Sequence, residues 1–145
     1  MIKEIIDNDI AYAKIIRATY KPSDKTEFFT RESDEVQFGV VNYEKNYKTG
    51  AHYHNHLKRK TTQTDEILMV QSGSARVDFY NDKGSYIKSC EIFQGDIIII
   101  YKGGHNIFFY DDTKVFMIKP GSYKTNEDST RIVGANNYEL SIDID

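Results

Sequence analysis

Ala75-Arg76-Val77-Asp78-Phe79-Tyr80-Asn81-Asp82-Lys83-Gly84-Ser85-Tyr86-Ile87-Lys88-Ser89-Cys90-Glu91-Ile92-Phe93 is the stretch that decides the fold class of this chain. Ala75, Val77 and Phe79 alternate with Arg76, Asp78 and Tyr80. That period of two turns apolar side chains to one face of a strand and polar ones to the other. Asn81 to Ser85 then gathers residues that tolerate positive φ, so the flanking segments are predicted to form an antiparallel hairpin.

The same rhythm continues in both directions. Downstream, Gln94-Gly95-Asp96 precedes the apolar run Ile97 to Tyr101, Gly103-Gly104 precedes His105 to Tyr110, and Asp111-Asp112 precedes Lys114 to Lys119. Each reads as a turn followed by a strand. Upstream, Ile67 to Val70 and Val36 to Tyr43 are rich in β-formers, and Ile10 to Tyr20 is read as a strand despite imperfect alternation. About eight or nine short strands at close spacing predict an all-β sandwich or barrel rather than layers of helix and sheet. The chain is read as one domain over 1–145, with 1–35 as N-terminal strands or arm and 124–145 as a polar C-terminal tail, loosely held or docked as a strand on a neighbour.

Composition narrows the function classes. Lys and Arg number 19 against 22 Asp and Glu, and the charges are interspersed, so no basic stripe offers nucleic acid an electrostatic footprint. Lys58-Arg59-Lys60 reads as a solvated loop. The run Ile97 to Tyr101 falls far short of the roughly 20 residues of a membrane-spanning helix, so no membrane partner is expected. Lys3, Glu4, Asp7 and Asp9 interrupt any secretory h-region, which predicts a cytoplasmic chain. Cys90 is the single cysteine and reads as a small core residue. Aromatic side chains and the open edges of a sheet predict a homodimer.

The histidines carry the chemistry. His52, His54 and His56 share one short window, and His105 follows a Gly-Gly pair. On a strand, residues two apart point to the same face at about 6.6–6.8 Å, which lets two imidazoles converge on one ion at about 2.0–2.1 Å. The pairs His52/His54 and His54/His56 both satisfy this; all three together do not, because the outer two lie too far apart along a straight strand. A carboxylate from a neighbouring strand would complete a mixed site, and Asp65 and Glu66 are the candidates. Ile67 and Met69 share the parity of Asp65, Leu68 and Val70 that of Glu66, so alternation alone does not choose between them. The bland alternative for His52, His54 and His105 is an imidazole hydrogen-bonded in a polar core, and for His56 a surface position or one behind the ligands.

Gly50-Ala51-His52-Tyr53-His54, then Glu66 and Gly73, then Gly95-Asp96 and Gly103-Gly104-His105 together resemble the two-part motif of the cupin superfamily. The resemblance implies a jelly-roll antiparallel β-barrel with His52, His54, Glu66 and His105 as metal ligands, and leaves His56 outside the set. The connection between His54 and Glu66 is longer than the superfamily pattern, and Tyr101 stands near the place of its usual proline. Along nearly the whole chain, including Met117-Ile118-Lys119-Pro120-Gly121-Ser122-Tyr123, the sequence is similar to a subgroup of small single-domain cupins encoded with enzymes of sugar and cell-surface polysaccharide biosynthesis. The glycines fit independently: Gly73 and Gly95 stand where hairpins turn, and Gly103-Gly104 lets the backbone bend tightly before His105.

The implied cofactor is a divalent transition metal; three His and one Glu suit Zn, Fe, Mn, Ni or Co. One or two open coordination positions would take a small-molecule substrate, with a sugar or sugar derivative first in line. Isomerase or epimerase chemistry would assign proton transfer to Tyr53, Tyr101 or Glu66. An iron-dependent dioxygenase is the competing enzyme reading, and a non-catalytic metal-containing sugar-binding or sensor module the competing class. Tyr53 and Tyr101 read equally as aromatic core or as a stacking surface for a sugar ring, and Lys119, Tyr123 and Arg131 as surface charge and hydroxyls or as contacts to an anionic ligand.

Overall fold

The computed structural model describes residues 1–121 and 129–133, and within them every regular element is a β-strand. Ten strands follow in order: β1 (Ile2–Asp7), β2 (Ile10–Ile16), β3 (Thr26–Phe28), β4 (Gly39–Val41), β5 (Glu66–Ser72), β6 (Ser74–Tyr80), β7 (Tyr86–Phe93), β8 (Ile97–Ile100), β9 (Gly104–Phe109) and β10 (Lys114–Ile118). Every pairing is antiparallel. The all-β expectation holds, and the hairpin that decided it is β6–β7, with Val77 opposite Cys90 and Ala75 opposite Ile92. The proposed tail over 124–145 lies outside the described residues apart from 129–133.

By their contacts the residues form two compact units. One joins Met1–Tyr20 to the described residues from Gln63 onward; the other is Lys21–Thr62. The larger unit holds a five-stranded sheet, β1-β2-β8-β5-β10, and a three-stranded sheet, β7-β6-β9. Their inner faces share one apolar core. Ala13 and Ile15 of β2, Ile98 and Ile100 of β8, and Leu68 and Val70 of β5 come from the first sheet, while Ala75, Val77 and Phe79 of β6 and Cys90 and Ile92 of β7 come from the second. Each fully buried Leu, Ile or Phe removes apolar surface worth about 1.5–3 kcal/mol from water, and this is what holds the sheets face to face.

The turns require the glycines the sequence supplies. Gly73 has φ +83°, and a side chain there would run into Thr113, so β5 can pass directly into β6 on the other sheet. Gly103 has φ +74°, and a Cβ would strike the Tyr80 carbonyl and the Tyr12 ring at 2.7 Å. This close approach launches β9 against β6, with His105 opposite Phe79.

A polar clamp fixes the β7–β8 turn. Asp96, almost fully buried, accepts hydrogen bonds from the backbone N–H of Phe93 at 3.0 Å and of Ala18 at 2.9 Å, and from Arg17 Nη1 at 2.6 Å. Arg17 Nη1 also donates to the Glu91 carbonyl at 2.8 Å, and Nη2 lies 3.5 Å from Cys90 Sγ. Burial works to lower the Arg17 pKa, but the hydrogen bond to Asp96 and the nearby Cys90 and Asp96 outweigh it and raise the value. Burial pushes the Cys90 thiol up against the pull of Arg17. Cys90 is thus a core residue, as its sequence reading had it.

In the smaller unit, β3 pairs with β4, and Phe29 stacks on Phe38 with ring centroids 6.1 Å apart. Strand structure there is shorter than expected: Val36 to Tyr43 contributes only Gly39–Val41. No strand lies between Val41 and Glu66, so His52, His54 and His56 do not have the strand geometry on which their i, i+2 pairing depends. The period-two argument fails because the positions that alternate with these histidines, Ala51, Tyr53 and Leu57, are interrupted by Asn55 and all stay exposed, so the backbone has no buried face to follow.

Candidate metal centre

Glu66 opens β5 on the face that Leu68 and Val70 bury in the core. Its register partner on β8 is Ile100, whose partner on β2 is Ala13, so the carboxylate stands at the end of an otherwise apolar row. Sequence alternation left Asp65 and Glu66 tied because Ile67 and Leu68 are both buried: β5 runs between β8 and β10, and apolar residues occupy both of its faces. The structure breaks the tie by position, since the side chain that meets His105 is that of Glu66.

His105 arrives from the opposite sheet. It stands on β9 beside Phe79 of β6, and two residues on, Ile107 packs against the core from the same face. Across the interior, His105 Nε2 lies 3.3 Å from Glu66 Oε2, with the side chains 27% and 15% exposed. Two donor atoms held by one ion at about 2.0–2.2 Å, at angles between square and tetrahedral, are separated by about 3.0–3.4 Å. The observed distance fits that requirement. It also fits a direct hydrogen bond or ion pair between the two side chains.

His52 and His54 are exposed and meet each other edge to face, with ring centroids 5.2 Å apart; His52 Nδ1 is 2.9 Å from the Gly50 carbonyl. They approach without the help of a strand. His56 is exposed. Among the described residues, no three His, Cys, Asp or Glu side chains are grouped so as to hold a metal ion. The sequence-derived set is therefore seen as two pairs, Glu66 with His105 and His52 with His54.

The two tyrosines assigned to proton transfer differ sharply. Tyr101 is half-buried one residue beyond Ile100, the register partner of Glu66, and its N–H donates to the Tyr12 carbonyl at 2.9 Å. Tyr53 is 90% exposed. Of the three residues read as contacts to an anionic ligand, Lys119 is half-buried, Arg131 is exposed and Tyr123 lies outside the described residues.

Three acids are buried among the described residues, Asp65, Asp78 and Asp96, and the burial of Asp78 is not visible in the sequence pattern. Asp78 occupies the polar parity of β6, yet it is nearly inaccessible, held by Arg76 Nε at 2.8 Å and by Ser89 Oγ at 2.6 Å, with Tyr86 OH a further 2.9 Å from Ser89. The signal was present in the i, i+2 pair of opposite charges and the serine across the hairpin. No protein-family model, curated protein or solved structure matches the chain.

Proposed function

We propose that the protein is a metal-dependent, cupin-like protein that acts on a small polar molecule, with a sugar or sugar derivative as the favoured substrate class. The observation that carries this reading is the Glu66–His105 pair, a carboxylate and an imidazole delivered from facing sheets to a separation that suits two ligands of one ion. Strand order supports the jelly-roll form of the fold. The chain passes from one sheet to the other at β5–β6, β7–β8, β8–β9 and β9–β10, and places β5 beside β8 and β6 beside β9, as a rolled pair of hairpins does. In this reading His52 and His54 complete the ligand set, and the sugar assignment comes from the sequence resemblance.

The metal would supply Lewis acidity, polarising a carbonyl or hydroxyl of the substrate. Glu66 and His105 would orient the centre from a core that fixes both backbones, and the apolar rows behind them exclude water on that side. Of the two phenols Tyr101 is half-buried and Tyr53 is 90% exposed, yet Tyr101 follows Ile100, the register partner of Glu66, and so has the opposite parity along the strand; register alone brings neither phenol to the pair.

A second reading rests on the same distance. At 3.3 Å the two groups satisfy each other, which would make the pair a polar strut between sheets. Elemental analysis of protein purified without chelators separates the two. The metal reading predicts about one transition-metal ion per chain, most of it lost in His105→Ala and in His52→Ala while circular dichroism keeps its β signature. A metal-free wild-type protein that also takes up none of the candidate ions on titration supports the strut.

A further inference from the structure

A pocket of about 610 Å³ lies at one end of the larger unit, between the Asn81 to Ser85 turn, the Gly103-Gly104 turn and the segment 129–133. Its cations are Lys83 and Arg131. The acid in its wall, Asp82, is already matched: Lys102 Nζ is 3.0 Å from Asp82 Oδ2 and also sits over the Tyr12 ring, 5.4 Å from the centroid. Among the described residues neither Lys83 nor Arg131 has an ion-pair partner. Two positive charges that have no ion-pair partner among the described residues therefore share one concavity in a chain whose formal net charge is -3.

The Arg131 position is set by packing. The neighbouring Ile132 occupies the space that a side chain at Gly104 would need, and its Cγ2 lies 3.1 Å from where a Cβ on Gly84 would stand. Both glycines leave room for Ile132, and that contact seats the segment carrying Thr130 and Arg131 against the two turns. The volume falls within the roughly 300–1,000 Å³ of small-molecule sites and exceeds what a bare oxyanion fills.

We propose that this pocket binds a phosphorylated small molecule, its phosphate held by Lys83 and Arg131 and the rest of the molecule filling the space beside the Thr130 hydroxyl. A phosphate monoester carries close to two negative charges near neutral pH and presents three acceptor oxygens, matching two cations of which one is the forked guanidinium. The proposal is independent of the metal assignment, because none of the pocket residues is a proposed ligand.

The test is a titration of the full chain with inorganic phosphate, glucose 1-phosphate and glucose, followed through the amide resonances of Gly84, Gly103 and Gly104. Saturable shifts are expected with both phosphates, tighter for glucose 1-phosphate, and none with glucose. Lys83→Gln and Arg131→Gln each weaken binding about tenfold, the scale of one charge-assisted hydrogen bond. Lys114→Gln, which removes a charge beside Ser72, at the other end of β6 from the Asn81 turn, leaves it unchanged. No saturable shift, equal affinity for the two phosphates, or equal weakening by Lys114→Gln would overturn the proposal.

Discussion

Glu66 and His105 lie far apart in sequence and meet; His52, His54 and His56 are sequence neighbours and keep their side chains in solvent. The difference is the company each keeps. Glu66 is followed on its own face by Leu68 and Val70, and His105 by Ile107, so burial of those apolar groups fixes the direction of the polar ones. Around His52 to His56 the exposed Tyr53 and Leu57 find no core. Spacing alone does not place a side chain; a neighbour with a reason to be buried does.

The strongest way to break this comparison is to remove that support. Phe79 is fully buried and is the register partner of His105, and Phe79→Ala is expected to cost about 3–5 kcal/mol in chemical denaturation. A loss below about 1 kcal/mol would mean that the core does not position β9. Asp96→Ala comes next. It removes the acceptor for two backbone N–H groups and leaves Arg17 without its carboxylate, for an expected loss of about 3 kcal/mol by the same measurement.

A smaller effect is expected from Cys90 at alkaline pH. Burial raises its pKa above the ordinary 9.0, so as pH rises past that value the unfolded chain releases the thiol proton before the folded one does. The folded state therefore loses stability upward from about pH 9 until the raised folded value is passed. Cys90→Ala should flatten that part of the pH–stability profile, and an unchanged slope would show that another group sets it. The smallest changes belong to the solvent-facing stretch. Tyr53→Ala and His56→Ala should each shift stability by less than about 0.5 kcal/mol, and His56→Ala should leave metal content near the wild-type level. A loss of metal equal to that of His52→Ala would move the site to the His54/His56 pair.

How far the sequence reached follows the same division. Alternation in Ala75 to Tyr80 and the turn at Asn81 to Ser85 were enough to place β6 and β7, because one face of that hairpin is core and the turn chemistry is local. Gly73, Gly95 and Gly103 were legible as turns, and all three have positive φ. Glu66 was not separable from Asp65 by pattern, since a strand with buried residues on both faces hides its parity. Asp78 looked like a solvated position and is buried by its own partners, a cross-strand effect that alternation cannot express. The His52 to His56 window has the i, i+2 spacing of a strand, but Ala51, Tyr53 and Leu57, the apolar residues that alternate with the histidines, find no core to pack on, and the structure gives the window no strand.

X-ray absorption on protein loaded with one equivalent of zinc reads the ligand set atom by atom. Three imidazoles and one carboxylate in the wild type, falling to two imidazoles in His105→Ala, is the result that joins the two pairs at a single ion. An imidazole count that stays the same when His105 is removed would leave Glu66 and His105 as a strut between sheets and the metal, if bound, elsewhere.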